Sequence, residues 1–369
     1  MTARVACGDL EVAAHDGRTL RFPAVWLRDN CPCEQCRDPR SGQKLFGIAD
    51  LPEGIAVSEV AETAEFIMVG YSPGGHRSRF GRSWLAGHAL DGPGPADPRT
   101  EDAKRLWRGG PAGPPGGWER FRDDPAHRAS CLQAVLRDGY TLIRGVPCQP
   151  GMVAAVAGCF GYVRETNYGR VFDVRVEAAP SHLASTGLAL SPHTDNPYRD
   201  PVPTVQLLHC HASAAAGGDT LLVDGFAAAA QLRARDPGSF AVLTSTSVPF
   251  GITTGGTALR ACQPLIDLDP RGRIRGVRFN NRSTRPLRLP PAEVTAFYAA
   301  YRRWATLLAR PELALTLRLR PGDCLIFDNT RILHGRTAFT GAGQRLLQGC
   351  YADLDGLASS LAVLEGVAA

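Results

Sequence analysis

The chain has 369 residues, enough for two or three domains around large cores, and its 44% apolar and 21% charged content excludes disordered and fibrous classes. The 41 Lys+Arg against 36 Asp+Glu leave +5 spread over the chain without a basic block, so a nucleic-acid partner is not expected. Apolar runs such as Met152–Ala157 and Phe226–Ala230 fall far short of the roughly 20 residues a membrane span needs, and no signal-peptide pattern is present; a cytoplasmic protein with no membrane partner is expected.

Residues 1–90 hold short alternating segments, among them Leu20–Trp26 and Glu65–Val69, separated by turn residues, which predicts a small β-rich domain. Within it, Trp26-Leu27-Arg28-Asp29-Asn30-Cys31-Pro32-Cys33-Glu34-Gln35-Cys36 places three of the eleven cysteines inside six residues, close enough for one tetrahedral ion. The best fourth ligand is His76 in Gly74-Gly75-His76, because it follows a strand and the glycines let the backbone approach. Cys31, Cys33, Cys36 and His76 then form a closed zinc site. The competing reading is three free or redox-active thiols beside an exposed histidine.

Residues 91–118 contain two Pro/Gly-rich stretches around a short charged segment and read as a linker. In the remaining domain, 119–369, Pro125–Gly139 and Gln149–Gly161 are predicted helices, each ending in glycine, and Thr141–Val146 a strand. Short strand-like runs follow at Thr204–Cys210, Thr220–Val223, Leu315–Leu319, Asp323–Phe327 and Leu346–Tyr351, interrupted by a predicted helix at Pro291–Ala309. Many short strands favour a barrel or jelly roll, so the expected fold class is mainly β with helices.

Two segments of this domain carry chemistry. In Ser191-Pro192-His193-Thr194-Asp195-Asn196 an imidazole and a carboxylate stand two residues apart, a spacing that puts both on one strand face. In Phe327-Asp328-Asn329-Thr330-Arg331-Ile332-Leu333-His334-Gly335-Arg336 a second histidine follows a strand, 139 residues after Asp195. His193, Asp195 and His334 fit a facial triad, which holds Fe(II) on one side and leaves the opposite positions open. Taken alone, His-x-Asp is also what an ordinary hydrogen-bonded strand histidine looks like. The surrounding spacings lift it: Arg345 lies eleven residues after His334, and Thr220, in Gly217-Gly218-Asp219-Thr220, twenty-five after Asp195.

Together these segments resemble the Fe(II)/2-oxoglutarate dioxygenases of the γ-butyrobetaine hydroxylase and taurine dioxygenase superfamily. The resemblance implies a double-stranded β-helix (jelly-roll) catalytic domain in which His193, Asp195 and His334 ligate iron. It also implies that Arg345 pairs with the distal carboxylate of 2-oxoglutarate, for which a planar guanidinium is well shaped, that Thr220 assists it, and that O2 is consumed. The WLRDNC start and the GHRSRF segment resemble the zinc-binding domain of γ-butyrobetaine and trimethyllysine hydroxylases, which implies a structural Zn(II) and a homodimer.

A quaternary ammonium donates no hydrogen bond and is recognised chiefly by aromatic faces, each contributing on the order of 0.5 to 2 kcal/mol. By the same resemblance Tyr168, Phe172 and Tyr351 match cage positions; the alternative is three ordinary core aromatics. Ser185 stands where γ-butyrobetaine hydroxylases have a tyrosine, and Tyr198 is the candidate to replace it. At the anionic end, Asn281 is followed by Arg282, where the compared enzymes have a small residue, and a guanidinium there suits a phosphonate better than a lone carboxylate. With Asn196 after the triad, this set resembles the 2-(trimethylammonio)ethylphosphonate dioxygenases. The expected reaction is hydroxylation of that zwitterion at C1, with γ-butyrobetaine as the alternative substrate; the competing class is a catalytically dead, zinc-stabilised binding protein.

Overall fold

The computed structural model describes residues 2–14, 16–90, 98–110, 113, 115–175, 187–213, 216–254, 256–340 and 345–366. The chain divides into two compact units, Met1–Ala96 and Asp97–Ala369. No helix among the described residues is long and apolar enough to cross a membrane.

The smaller unit holds two antiparallel three-stranded sheets and two short helices. Strands β1 (Ala3–Ala6), β2 (Asp9–Ala13) and β3 (Thr19–Phe22) lead into helix α1 (Ala24–Asp29). Strands β4 (Ala56–Glu62), β5 (Phe66–Ser72) and β6 (Arg77–Gly81) lead into α2 (Arg82–Gly87). Alternate residues such as Leu10, Val12, Phe22, Ile67, Val69 and Phe80 fill the core. Leu20–Trp26, expected as one strand, breaks at Pro23, which has no N–H for a ladder and instead sits at the N-cap of α1.

The larger unit opens with β7 (Gly116–Gly117), α3 (Trp118–Asp123), α4 (Pro125–Asp138), β8 (Tyr140–Arg144), α5 (Met152–Gly158), β9 (Phe172–Arg175) and β10 (Leu190–His193). It continues through β11 (Val205–Ala212), β12 (Ala216–Gly217), β13 (Thr220–Asp224), α6 (Gly225–Arg235) and α7 (Pro237–Ser245). Then come β14 (Val248–Thr254), β15 (Thr257–Gln263), β16 (Ile266–Leu268), β17 (Ile274–Val277) and α8 (Pro291–Leu308). The last elements are β18 (Ala314–Leu317), β19 (Cys324–Asp328), β20 (Ile332–Arg336), β21 (Phe339–Thr340), β22 (Leu346–Ala352) and α9 (Leu354–Leu364). The predicted helix at Pro125–Gly139 is α4, capped by the Asp124 carboxylate at one end and by Gly139 at φ 89° at the other.

Two sheets frame the interior: a six-stranded one in the order β7-β8-β19-β11-β22-β9 and a four-stranded one in the order β10-β20-β13-β18. Period-two alternation divides central strand β11 between two environments. Val205 and Leu207 join the core under α4, α5 and α9, while Gln206 and Leu208 face a cavity. A second core, around Trp304, Phe297 and Phe226, ties α6, α7 and α8 to β14–β17.

The expected linker 91–118 is not one throughout. Residues 98–110 pack on the larger unit: Trp107 is buried, its backbone N–H donates to Asp224 Oδ2 (3.1 Å) and its indole N–H to the Asp138 carbonyl (2.7 Å). Glu101 meets the Arg233 guanidinium at 2.8 Å. Local Pro/Gly composition cannot reveal partners that lie more than a hundred residues away.

Candidate active site

The triad is assembled by strand pairing. Strands β10 and β20 are antiparallel neighbours with His193 directly opposite His334, which brings the ring centroids to 4.4 Å. His193 Nδ1 meets the Ser191 carbonyl at 2.9 Å, which places its proton there and leaves Nε2 as the free donor atom, 3.4 Å from Asp195 Oδ1. His334 Nε2 lies 4.0 Å from Asp195 Oδ2.

Asp195 is not on the strand, contrary to the expectation from the two-residue spacing. Strand β10 ends at His193, and Asn196 takes a left-handed φ of 55°, so Asp195 sits at the turn that follows. Asn329 fixes it there: its Oδ1 accepts from the Asp195 N–H (2.8 Å) and its Nδ2 donates to the Asp195 carbonyl (3.0 Å). His334, expected just after a strand, lies inside β20.

The electrostatics suit a cation. Burial pushes His334 down to about 3, so its imidazole is neutral. Burial alone would raise Asp195, but the His334 and His193 rings and the Tyr351 hydroxyl hold it well below the usual carboxylate range. One donor atom from each of the three residues lies within 4.8 Å of the others, and two imidazoles with one carboxylate on the wall of an open cavity fit Fe(II).

That cavity has a volume of about 740 Å³. Its walls include Tyr168, Phe172, Asn196, Tyr198, Thr220, Arg282, Arg345 and Tyr351 along with the triad. Three of the aromatic side chains form a connected wall: Tyr168 and Phe172 centroids are 6.1 Å apart, Phe172 and Tyr351 5.1 Å. The Tyr168 and Tyr198 hydroxyls meet at 2.9 Å, and the Tyr351 hydroxyl donates to Asp195 Oδ2 at 2.9 Å. Gly349 pairs with Phe172 across β22 and β9, and a Cβ there would stand 2.5 Å from the Phe172 ring. Ser185 lies outside the described residues.

The cavity wall also holds basic residues. Thr220 is opposite Arg336 in the β13–β20 pair, and Arg336 and Arg345 both stand over the Phe339 ring, at 5.0 and 5.6 Å. Burial draws the Arg345 guanidinium below its usual range, and Arg345 shares the cavity wall with the triad. Gly218 allows this approach, since a Cβ there would be 3.2 Å from Arg345 Nε. Arg282 reaches the cavity from the loop after β17; the surrounding protein lowers its pKa, and Asp195 is the acid opposing that shift.

In the smaller unit, Cys31 follows α1, and Cys33 accepts backbone N–H bonds from Cys36 and Arg37, both at 2.9 Å, forming a tight thiol turn. Gly74 and Gly75, at φ 103° and 64°, turn the chain after β5 so that His76 arrives from the other side. His76 Nε2 lies 3.2, 3.8 and 3.6 Å from the sulfurs of Cys31, Cys33 and Cys36. Neighbouring nitrogen and sulfur ligands of tetrahedral zinc stand roughly 3.6 Å apart, so the four donors fit Zn(II). The protein as purified is expected to carry one zinc per chain by elemental analysis. His76→Ala should lower that content and the melting midpoint of the smaller unit; unchanged zinc would remove His76 from the ligand set.

Comparison with known proteins places this geometry. Residues 116–351 match the family model described as taurine catabolism dioxygenase TauD, TfdA family, and residues 2–86 match the γ-butyrobetaine hydroxylase-like N-terminal model. The chain belongs to the TauD/TfdA dioxygenase family. It is 36% identical to the γ-butyrobetaine dioxygenase of Pseudomonas sp. (strain AK-1) over 352 residues, covering 95% of this chain and 92% of that one. It is 30% identical to the human γ-butyrobetaine dioxygenase (96% and 94% covered) and 31% to the trimethyllysine dioxygenase of Meyerozyma guilliermondii (95% and 92%). A solved alpha-ketoglutarate-dependent protein of the taurine dioxygenase type from Burkholderia xenovorans superposes with a TM-score of 0.50 at 16% identity, over 67% of this chain and 92% of that one, and shares the fold. This TauD/TfdA chain is therefore a dioxygenase that uses Fe(II), 2-oxoglutarate and O2.

Against that family frame, one expected substrate contact is displaced. Asn281 does not line the cavity; its Oδ1 accepts from the Tyr301 hydroxyl at 3.1 Å. Asn280 lines it instead, its Nδ2 donating to the Thr194 carbonyl at 3.3 Å and its Oδ1 accepting from the Arg282 N–H at 3.2 Å. The three-residue helical turn Asn281–Ser283 rotates successive side chains apart, so adjacent asparagines cannot face the same way. Sequence reading also passed over Gln206 and Arg336 in the cavity wall. Gln206 did carry a signal: a lone amide in the otherwise apolar run Val205–Leu208 of a buried strand needs a partner.

Proposed function

We propose that the enzyme hydroxylates a small trimethylammonium zwitterion. The observation that carries this reading is the aromatic wall of Tyr168, Phe172 and Tyr351, whose last member reaches Asp195 through its hydroxyl. A quaternary ammonium held against those faces lies next to an ionised carboxylate, the right charge for it, and close to the metal. Bound Fe(II) with 2-oxoglutarate activates O2, placing one oxygen atom in a C–H bond of the substrate and the other in succinate, with loss of CO2. Arg345 holds the distal carboxylate of the co-substrate, with Thr220 beside it. Tyr168 and Tyr198 brace each other through their hydroxyls. The task of these residues is to aim one substrate carbon at the metal.

Similarity to γ-butyrobetaine dioxygenases along nearly the whole chain supports γ-butyrobetaine as the substrate. Arg282 favours a second reading, 2-(trimethylammonio)ethylphosphonate hydroxylated at C1, because a guanidinium in the wall of the same cavity suits a three-oxygen anion. Succinate formation measured with each compound, and with neither, tests both. Stimulation by neither sinks the trimethylammonium reading. Arg282→Ala is expected to raise KM for a phosphonate by about 10- to 100-fold, the usual worth of a charge-assisted hydrogen bond. Equal losses with both substrates would count against the phosphonate.

A further inference from the structure

We propose that Gln206 and Tyr351 act as paired positioning residues that occupy one oxygen of Asp195, so that the carboxylate offers the metal only the other. The inference rests on the iron-site reading above and extends it to residues outside the triad.

The pair is delivered by register. Gln206 on β11 is directly opposite Tyr351 on β22, so both side chains leave the sheet on the same face. Both then converge on one atom: Gln206 Nε2 donates to Asp195 Oδ2 at 2.9 Å, and the Tyr351 hydroxyl donates to the same oxygen at 2.9 Å. Asp195 Oδ1 faces His193 Nε2 at 3.4 Å, whereas His334 Nε2 comes no nearer to the carboxylate than 4.0 Å, at Oδ2. The orientation of the amide is decided by charge, because its oxygen turned toward an ionised carboxylate would be repelled. That choice leaves Gln206 Oε1 buried and without a hydrogen-bond partner among the described residues. A glutamine kept for packing alone would satisfy both ends; this one satisfies the end that touches Asp195.

The coordination chemistry explains why single-oxygen binding matters. An ion held by His193, His334 and one oxygen of Asp195 would keep its remaining positions for the co-substrate and O2. A second Asp195 oxygen on the ion would take up one of those positions. With two donors on Oδ2, that swing is opposed before any substrate arrives.

The test measures Mn(II) affinity by calorimetry on the full-length protein, together with succinate formed per hydroxylated product using γ-butyrobetaine or the phosphonate. Tyr351→Phe keeps the ring and removes only the hydroxyl; Gln206→Met keeps the length and removes the donor. Each is expected to weaken Mn(II) binding by about tenfold and the double variant by about 100-fold, the span that outer partners of metal ligands usually cover. Succinate should exceed product in all three, and the metal-free melting midpoints should stay near wild type. Mn(II) affinity within about twofold of wild type in both single variants overturns the proposal. So does an affinity loss that appears only where the metal-free midpoint falls. His193→Ala serves as the reference: if it binds Mn(II) as wild type does, the iron-site reading itself fails, whatever the paired residues do.

Discussion

Replacing His334 with alanine is expected to abolish 2-oxoglutarate decarboxylation and substrate hydroxylation together, while leaving a folded protein. The loss of metal affinity should exceed the roughly 10- to 100-fold that an outer partner is worth, because a ligand itself is removed. The backbone of β20 is held by β10 on one side and β13 on the other, and alanine keeps all of those hydrogen bonds. Calorimetry with Mn(II), succinate assays and a melting curve on the same preparation separate the outcomes. Retained metal binding with retained succinate formation would exclude His334 from the site. A collapsed melting curve would instead mean that its contacts with Phe327, ring centroids 5.1 Å apart, matter more to the core than expected.

The second large effect is structural. Asp224→Ala should destabilise the larger unit by about 3–5 kcal/mol, the cost of leaving one member of a buried ion pair alone. Arg331 and Asp224 meet at 2.7 Å with neither side chain exposed. The same carboxylate accepts the N–H groups of Trp107, Phe226 and Ala227, and the Arg331 guanidinium also donates to the carbonyls of Arg137 and Arg105. One acid thus ties the segment before the first helices, the start of α6 and the turn before β20. The partly exposed pair Asp267–Arg275, at 2.9 Å, is the control, and Asp267→Ala should cost less than about 1 kcal/mol. Urea unfolding of both variants decides the matter; equal midpoints would mean that the buried network contributes nothing special.

What the sequence made legible depended on whether information was local. The triad could be read because His193 and Asp195 stand two residues apart and Arg345 and Thr220 follow at telling spacings, and the thiol cluster because its spacing is short. Helix α4 could be read because it ends in a glycine, Gly139. The position of Asp195 could not: it depends on Asn196 adopting a left-handed φ and on Asn329, over a hundred residues away. Trp107 read as linker because one partner, Asp224, is similarly remote and the other, the Asp138 carbonyl, lies at the far end of α4. Asn280 and Asn281 carry identical side chains, and only the helical turn that follows decides which one faces the cavity.

Gly349 has no side chain, and Phe172 lies in the space one would fill. The depth of the aromatic wall is therefore written at a residue that never touches a ligand. A methyl group there would force the Phe172 ring to shift while every aromatic residue kept its identity. The pocket's bore can thus be changed from behind the wall, at a control point that an inventory of contact residues would pass over.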